Sequence, residues 1–502
     1  MEDAAETTWH VLERRQPFAR SLLWELQRRY FAARGVEAWR WGEVPHYVTS
    51  NPKIADSYAE IVFAFLKDRN RLAGAEEGGE PLHICELGAG SGRFAFHFLS
   101  RLTRLCEQSG MPPKSFLYVL TDQAEGNLAF WRDHPRFQSF FASGLLETAV
   151  LDATEPGDVA LQQSGRTITA GSLERPLAVI ANYVFDSIPQ DLFYIDGGQC
   201  QECLVSLAVD APPGTSPDTL DAGELLRRLR CHYDREPLTG PAYPEEWLSR
   251  ILAGYRNALN DTCLLFPAAG LRCLHRLAAL SRRGLLLLSA DKGSHRLAAL
   301  QGAVAPVPVL HGSFSLSVNY HAIKTFCEHR GGLALFPGAR HGSVDVNACL
   351  MVPDASEHGE TRRAYRRHVE DFGPDDFYSI TRHVSRTAGQ MSAREVLSYL
   401  RLGCYDSHLT AFLLPVLTEL APELDPSQCR AVRDALDRVW ETYFPLGEEP
   451  DLADGIARLL YAMGEYRRAL VYFARSIEIY GEDTGTRANM AACRRMLGQP
   501  DP

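Results

Sequence analysis

A short apolar run followed at once by closely spaced glycines is the feature that most limits what this chain can fold into. Leu82 to Leu87 predicts a strand, Gly88 to Gly92 (Gly-Ala-Gly-Ser-Gly) follows directly, and Phe94, Phe98 and Leu99 then recur at helical spacing. Glycines after a strand let the backbone approach a ligand closely, and the helix behind them offers free N–H groups. The segment therefore predicts a loop that binds a nucleotide-like ligand.

The pattern of strand, loop and helix continues along the chain. Phe116 to Leu120 predicts a strand closed by Asp122, and Pro176 to Ala181 predicts one that ends at Asn182. Strands that alternate with helices form parallel sheets, and ligands sit at the carboxyl ends of such strands. Asp152 and Ala153 follow another short strand signal, and two later runs predict further strands of the same sheet: Leu285 to Ser289 and Val344 to Val352.

Two common types of nucleotide-binding loop do not fit this segment. A phosphate-binding loop needs a Gly-Lys-Ser/Thr ending, and no lysine lies near this one. A dinucleotide fingerprint is G-x-G-x-x-G with an acid about 20 residues further on. Here the glycines are at 88, 90 and 92, and Asp122 comes 34 residues after Gly88. This layout suits S-adenosylmethionine, which has ribose hydroxyls but no pyrophosphate.

At this point the chain resembles class I S-adenosylmethionine-dependent methyltransferases. The match is to Glu86 to Gly92 as the cofactor loop, Asp122 as the ribose-binding acid, and Asp152-Ala153 as the pair at the adenine edge. More narrowly it resembles the MidA-like family, which includes a mitochondrial complex I assembly methyltransferase acting on protein arginine. This resemblance covers roughly residues 40 to 352, and its ordered segments are 47 to 58, the glycine loop, 181 to 189, a hairpin at 192 to 209, and 312 to 321.

The resemblance implies an α/β fold with S-adenosylmethionine as cofactor. The expected architecture is a Rossmann-like, seven-stranded methyltransferase sheet over residues 76 to 360, with an insertion at about 194 to 283. A helical N-terminal cap over 1 to 75 precedes it, with an amphipathic helix at 9 to 35 that packs on the main domain or acts as a lid. An all-helical domain follows at 375 to 502, where Leu459 to Ala492 resembles a tetratricopeptide repeat or an ordinary helical hairpin.

The predicted cofactor-binding residues gather at the ends of the first four strands. Glu86 orients the amino end of the cofactor or caps the next helix, while Asp122 binds the ribose or caps a helix. The predicted set is Glu86, Gly88, Ala89, Gly90, Gly92, Asp122, Asp152, Ala153 and Asn182.

Four residues are the predicted catalytic set. Asn182 and Tyr183 are expected to line the methyl-transfer channel, although Tyr183 could instead be a packing residue. Asp186 could act as a base or cap a helix. His321 could accept a proton or be a structural histidine. The family has glutamate where this chain has Tyr183. A carboxylate there would hold a guanidinium, so its replacement weakens the case for arginine as the acceptor.

Composition narrows the possible partners and compartments. The chain has 52 basic and 63 acidic residues, a net charge of -11, which argues against nucleic acid. No apolar run reaches the length of a membrane span, and the acidic start (Met1-Glu2-Asp3) predicts no targeting segment. The 12 cysteines are scattered, as is typical of reduced thiols, and one CxxC pair, Cys200 and Cys203, is a weak zinc signal, so we expect no metal. We expect a cytoplasmic protein.

The sequence thus predicts a methyltransferase that acts on a protein or peptide, which docks on the C-terminal helical domain. Two alternatives stay open: a small-molecule or natural-product methyltransferase, and a non-catalytic scaffold that keeps the fold.

Overall fold

The computed structural model describes residues 8–40, 42–73, 79–211, 220–338 and 342–499. Its strands are β1 (Thr8–Pro17), β2 (Leu82–Glu86), β3 (Phe116–Asp122), β4 (Leu146–Val150), β5 (Val159–Ala160), β6 (Thr167–Ile168), β7 (Leu177–Asn182), β8 (Asp191–Asp196), β9 (Gln199–Ala211), β10 (Leu229–Pro237), β11 (Thr262–Phe266), β12 (Leu285–Asp291), β13 (Gly293–Ser294), β14 (Val309–His311), β15 (Ser313–Ser315), β16 (Val318–Asn319), β17 (Leu333–Leu335) and β18 (Asp345–Met351).

The helices lie between these strands and then fill the whole C-terminal region. They are α1 (Leu22–Arg34), α2 (Glu37–Arg40), α3 (Tyr47–Ser50), α4 (Pro52–Ala73), α5 (Arg93–Gln108), α6 (Glu125–Asp133), α7 (Gln138–Ser143), α8 (Ala222–Arg228), α9 (Glu246–Ala258), α10 (Ala268–Ala279), α11 (Tyr320–His329), α12 (Gly359–Tyr365), α13 (Pro374–Thr387), α14 (Ala393–Leu402), α15 (Ser407–Leu420), α16 (Pro426–Thr442), α17 (Leu452–Ala462), α18 (Tyr466–Tyr480) and α19 (Thr484–Met496).

A seven-stranded mixed sheet forms the centre of the first domain, as predicted. Its order is β17-β18-β12-β7-β2-β3-β4. The five strands from β12 to β4 are parallel, while β18 runs antiparallel to β12 and β17 antiparallel to β18. The chain proceeds from β2 outward to β4 and then returns to β7 on the other side of β2. This reversal leaves a crevice at the carboxyl ends of β2 and β7, where open α/β sheets bind ligands.

Both faces of this sheet are buried, which explains why its strands are continuous apolar runs. In β12, Leu285 and Leu287 pack with α10 on one face, whereas Leu286 and Leu288 pack with α4 and α5 on the other. The alternation places successive side chains in two separate hydrophobic clusters.

A second, five-stranded antiparallel sheet carries the hairpin predicted at 192 to 209. β8 and β9 turn through Gly197 and Gly198, with φ of 54° and 74°, as the tightest hairpin turns require. Strands β1 and β10 pair with β9, and β11 pairs with β8. Within the insertion expected at about 194 to 283, residues 229 to 237 form β10; residues 212 to 219 lie outside the described ranges. Strand β11 lies in the same insertion, between α9 and α10.

The N-terminal cap is not wholly helical. Residues 8 to 17 form β1, which pairs along β9 from Thr8↔Ala211 to Pro17↔Leu204, so the helix predicted over 9 to 35 begins only at Leu22. Phe18, Leu22 and Leu26 recur at helical spacing, and α1 begins at Leu22. The residues before them form a strand because they pair with β9, which lies far along the chain and gives no local signal.

Helices α13 to α19 confirm an all-helical C-terminal region, and the tetratricopeptide assignment stays a prediction. This region packs directly on the first domain: the Phe444 ring stacks on His134 with centroids 3.8 Å apart, and Arg136 donates to the Trp440 carbonyl. None of the helices in the described ranges has the length and apolar content needed to cross a membrane.

Candidate functional site

Two adjoining cavities, of about 820 and 830 Å³, open at the crevice between β2 and β7. We call them the Asp186 cavity and the Asp122 cavity, after a carboxyl group in each. Phe31, Trp39, Gly88, Tyr183 and Ser187 line both. The Asp186 cavity is lined further by Glu86, Ala89, Gly90, Ser91, Asn182 and Lys292, and the Asp122 cavity by Arg28, Asn127, Asp152 and Ala153.

The glycine loop needs its glycines for two physical reasons. Gly88, Gly90 and Gly92 have φ of 56°, 55° and 78°, a region that other residues enter at a cost. A Cβ on Gly90 would also lie 2.9 Å from the indole of Trp39, and Trp131 Nε1 donates to the Gly90 carbonyl at 3.0 Å. Little space is left on the side of the loop that faces α2.

Asp122 holds this loop to the next strand. Its carboxylate accepts hydrogen bonds from Gly90 N (3.1 Å), Ala124 N (3.0 Å) and Asn127 Nδ2 (3.0 Å). Burial raises the pKa of Asp122, while these three hydrogen bonds oppose that rise. A carboxylate has about four acceptor positions, so Asp122 can still receive a ligand hydroxyl in the cavity that it lines.

Asp152 and Ala153 lie at the other end of the Asp122 cavity. Asp152 Oδ1 accepts from Thr154 N at 2.8 Å and from its hydroxyl at 2.6 Å, and Arg28 of α1 lies 3.9 Å from Oδ2. Sequence reasoning did not single out Arg28, Phe31 or Trp39, because they are far away in the chain. Helix α1 thus packs on the first domain and covers the cavity, while its role as a lid stays a prediction.

Glu86 lies at the Asp186 cavity and does not cap α5, whose N-cap is Gly92. It is only 4% exposed, and Tyr118 donates its hydroxyl to Glu86 Oε2 at 2.7 Å. The pKa of Glu86 is raised to about 8, mainly by burial; the hydrogen bond from Tyr118 opposes the rise, and the neighbouring Asp122 charge adds to it. A carboxyl so placed gains by meeting a cationic group of a ligand.

Asn182 and Tyr183 both line the Asp186 cavity, in different ways. Asn182 is held by neighbouring helices: Tyr58 donates to its Oδ1 at 2.9 Å, and its Nδ2 donates to the Thr49 carbonyl at 3.4 Å. Tyr183 has φ of 52° and a backbone N–H that donates to Ala290 O at 3.0 Å. Its hydroxyl makes no hydrogen bond to any described residue. A strained residue at a cavity wall is typical of functional sites.

Asp186 forms a buried carboxyl pair with Asp291, the last residue of β12. Asp291 Oδ2 accepts from the Asp186 backbone N–H at 3.0 Å, and, in addition to burial, the charge of Asp186 disfavours ionisation of Asp291 and so raises its pKa. Burial raises the pKa of Asp186 to about 7 and that of Asp291 well above its usual range. The next element after Asp186 is the strand β8, so Asp186 does not cap a helix. Asp291 was missed, although it ends a strand just as Asp122 does.

The structure does not bring His321 to either cavity. Its Nδ1 lies 2.8 Å from the Tyr255 hydroxyl, and burial lowers its pKa. The neighbouring Asn319 caps α11 by accepting from Ala322 N at 3.1 Å. His321 is therefore a structural histidine, and from the same segment His311, Phe314 and Ser315 line the Asp186 cavity instead.

Cys200 and Cys203 lie in β9 as free thiols. Residues three apart in a strand point to opposite faces, so this CxxC pair is poorly placed to chelate one ion. In the ranges that the structure describes, no group of three or more His, Cys, Asp or Glu side chains could hold a metal ion.

No protein-family model matches the chain, and no curated protein matches it. Two solved structures from Burkholderia thailandensis, members of one superfamily, are similar to this chain; each match covers 68% of this chain and 89% of the other. One, described as uncharacterised, is 14% identical with a TM-score of 0.40; the other, described as a likely methyl transferase bound to S-adenosyl-homocysteine, is 15% identical with a TM-score of 0.41. A CurJ carbon methyltransferase is 10% identical over 59% of this chain and 55% of its own, with a TM-score of 0.26. Likenesses this weak establish neither activity nor substrate.

Proposed function

We propose that this chain is an S-adenosylmethionine-dependent methyltransferase. The observation that carries the proposal is the division of one crevice into two cavities around a glycine loop. The Asp122 cavity offers a carboxylate for ribose hydroxyls and the Asp152-Ala153 pair for an adenine edge. The Asp186 cavity offers Glu86 for an ammonium group.

The cofactor would supply a methyl group on a positively charged sulfur, and this chain's residues would position and protect the acceptor. Trp39 and Phe31 stack with ring centroids 5.8 Å apart and line both cavities, so they restrict water there. Rate enhancement would come mainly from alignment in a dry site. If the group that receives the methyl must lose a proton, Asp186 of the Asp186–Asp291 pair can take it up.

A protein or peptide acceptor is the substrate class that we propose. A third cavity shares Pro45, Tyr183 and Lys292 with the Asp186 cavity and reaches Tyr378 and Arg382 on α13. This route leads from Tyr183 to the helical C-terminal region, which is where a docked chain would lie. Lys292 and Arg382 are exposed cations on it, so they favour acidic residues near the target and argue against a cluster of basic ones.

Calorimetry with S-adenosyl-homocysteine tests the cofactor assignment. We expect saturable binding to the full chain, and a loss of affinity of about 10- to 100-fold in Asp122→Ala, because a charge-assisted bond is removed and the loop is released. The matched control is Asp133→Ala on α6, which is exposed and lies outside both cavities. Absence of binding, or equal affinity in both variants, would contradict the proposal.

Labelled S-adenosylmethionine with cell lysate tests the acceptor class. Label in a protein band with a mass increment of one methyl group supports a protein acceptor. Label only in the small-molecule fraction would favour a natural-product methyltransferase, and cofactor binding without any transfer would favour the scaffold.

A further inference from the structure

A separate cleft of about 900 Å³ lies between the first domain and the C-terminal helices. One wall is α5, where His97, Ser100, Arg101 and Arg104 recur at the spacing of a single helix face. Arg401, at the end of α14, and Arg438, on α16, face it from the C-terminal region. We call it the arginine cleft. It shares no lining residue with the Asp186 or Asp122 cavity.

Most of the positive charge in the arginine cleft is not neutralised. Arg101 is paired with Asp56 at 2.8 Å and with Glu60. Arg104, Arg401 and Arg438 form no ion pair with the residues that the structure describes. Arg401 donates to Ser398 Oγ at 2.9 Å, and Arg438 lies over the Tyr405 ring at 5.0 Å. Glu441 and the paired Asp56 are the acids among the lining residues, so the cleft is locally basic in a chain of net charge -11.

His97 adds a polar group that is buried and has no protein partner. Its side chain is 7% exposed and lines the cleft, yet its ring nitrogens make no hydrogen bond to any described residue. Burial lowers the pKa of His97 to about 3, with Arg93 and Arg136 contributing, so the ring is neutral and can donate one N–H. A neutral ring N–H at the wall of the cleft can donate a hydrogen bond to a ligand there.

We propose that the arginine cleft binds a compact anion with at least two phosphate groups, held by Arg104, Arg401 and Arg438 as charged donors and by His97 as a neutral one. Guanidinium groups match phosphate oxygens in geometry and stay charged at every physiological pH. Three of them on two sides of a cleft suit a diphosphate better than a single small anion. Such a ligand would join α5 to α14 and α16, and so fix the C-terminal region on the first domain, independently of methyl transfer.

Calorimetric titration of the full chain with inorganic pyrophosphate tests the proposal, and ADP serves as a second titrant to distinguish a bare diphosphate from a nucleotide. We expect saturable binding of at least one of the two, weakened about tenfold or more in the double variant Arg104→Ala with Arg438→Ala. The control double variant, Arg132→Ala with Arg394→Ala, removes two exposed arginines outside the cleft and should bind like the unmodified chain.

Thermal unfolding gives a second measurement that needs no variant. Pyrophosphate should raise the midpoint of the unmodified chain above that in sodium chloride of equal ionic strength, because it binds only the folded state. No binding of either titrant, no shift of the midpoint, or equal affinity in the two double variants would overturn the proposal. Should the alanine variant not fold, Arg104→Lys with Arg438→Lys keeps the charge but loses the forked geometry, and we expect weakened binding.

Discussion

The Asp122 cavity and the Asp186 cavity share one crevice but are assembled in opposite ways. Apart from α1, Trp39 and the turn after β7 (183 to 189), the lining of the Asp122 cavity comes from the ends of β2, β3 and β4 and from Asn127 on α6. The Asp186 cavity combines Thr49, Asn182 and Lys292 with His311 and Ser315, which are widely separated in sequence. The first is therefore largely encoded locally, whereas the second exists only once the whole domain has folded. Substitutions in the two cavities test that contrast.

The largest expected effect concerns the loop between the two cavities. Gly90→Ala should lower the affinity for S-adenosyl-homocysteine by about 100-fold or more, because the added Cβ meets the Trp39 indole at 2.9 Å and φ of 55° strains any other residue. Gly110→Ala is the matched control, since Gly110 has φ of 69° and nothing within 4 Å. Calorimetry on both shows whether the loss is specific to the loop, and equal affinities would mean that Gly90 does not limit cofactor binding.

Glu86 makes the stability of the crevice depend on pH. The unfolded chain releases this proton near pH 4.5 and the folded chain near 8, so between these values the folded state binds more protons and the free energy of unfolding falls as pH rises. Glu86→Gln should remove this part of the fall, on the order of a few kcal/mol between pH 5 and 8. Urea denaturation at three pH values measures it. An unchanged slope in Glu86→Gln would show that Glu86 is ionised throughout.

Tyr183→Phe should affect methyl transfer much more than cofactor binding. Because the hydroxyl bonds to no described residue, the free energy of unfolding should change by less than about 0.5 kcal/mol and S-adenosyl-homocysteine affinity by less than about twofold. Methyl transfer to the labelled acceptor should fall about tenfold if the hydroxyl holds the acceptor. Unchanged transfer would assign Tyr183 to packing.

The smallest expected effect is that of His321→Ala. Losing the contact with Tyr255 should lower the free energy of unfolding by about 1 kcal/mol, while cofactor affinity and methyl transfer stay within about twofold. Denaturation and label transfer measure the two effects. A large loss of transfer without a loss of stability would restore His321 to the site.

The residues of the Asp122 cavity that follow strands could be predicted from the sequence, whereas those that only the tertiary fold brings together could not. The glycine loop, Asp122 and Asp152 could be predicted because each comes directly after an apolar run, and the carboxyl ends of parallel strands meet at one edge. Asp291 gives the same signal, but it follows the fifth parallel strand and had no counterpart in the resemblance. Trp39 and Arg28 give no local signal, since only the tertiary fold brings α1 and α2 over the loop.

The second sheet explains the remaining errors. β1 pairs with β9 and β11 with β8, in each case a strand far away in the chain, whereas β10 pairs with the preceding strand, β9. Local propensity cannot reveal such partners, because the packing of a strand against its neighbours decides whether it forms. His321 was misplaced for a related reason: its residue type suggested chemistry, and its surroundings were unknown.

The pairing of β1 with β9 has a consequence for synthesis on the ribosome. Thr8 pairs with Ala211, so the first described strand has no partner until some 200 further residues have been made. The α1 segment that covers the crevice is anchored by this strand, and contacts so distant in sequence form late because closing the intervening chain costs entropy. The central sheet can thus begin to assemble with its crevice still open to water, and the cover closes only after the insertion has emerged.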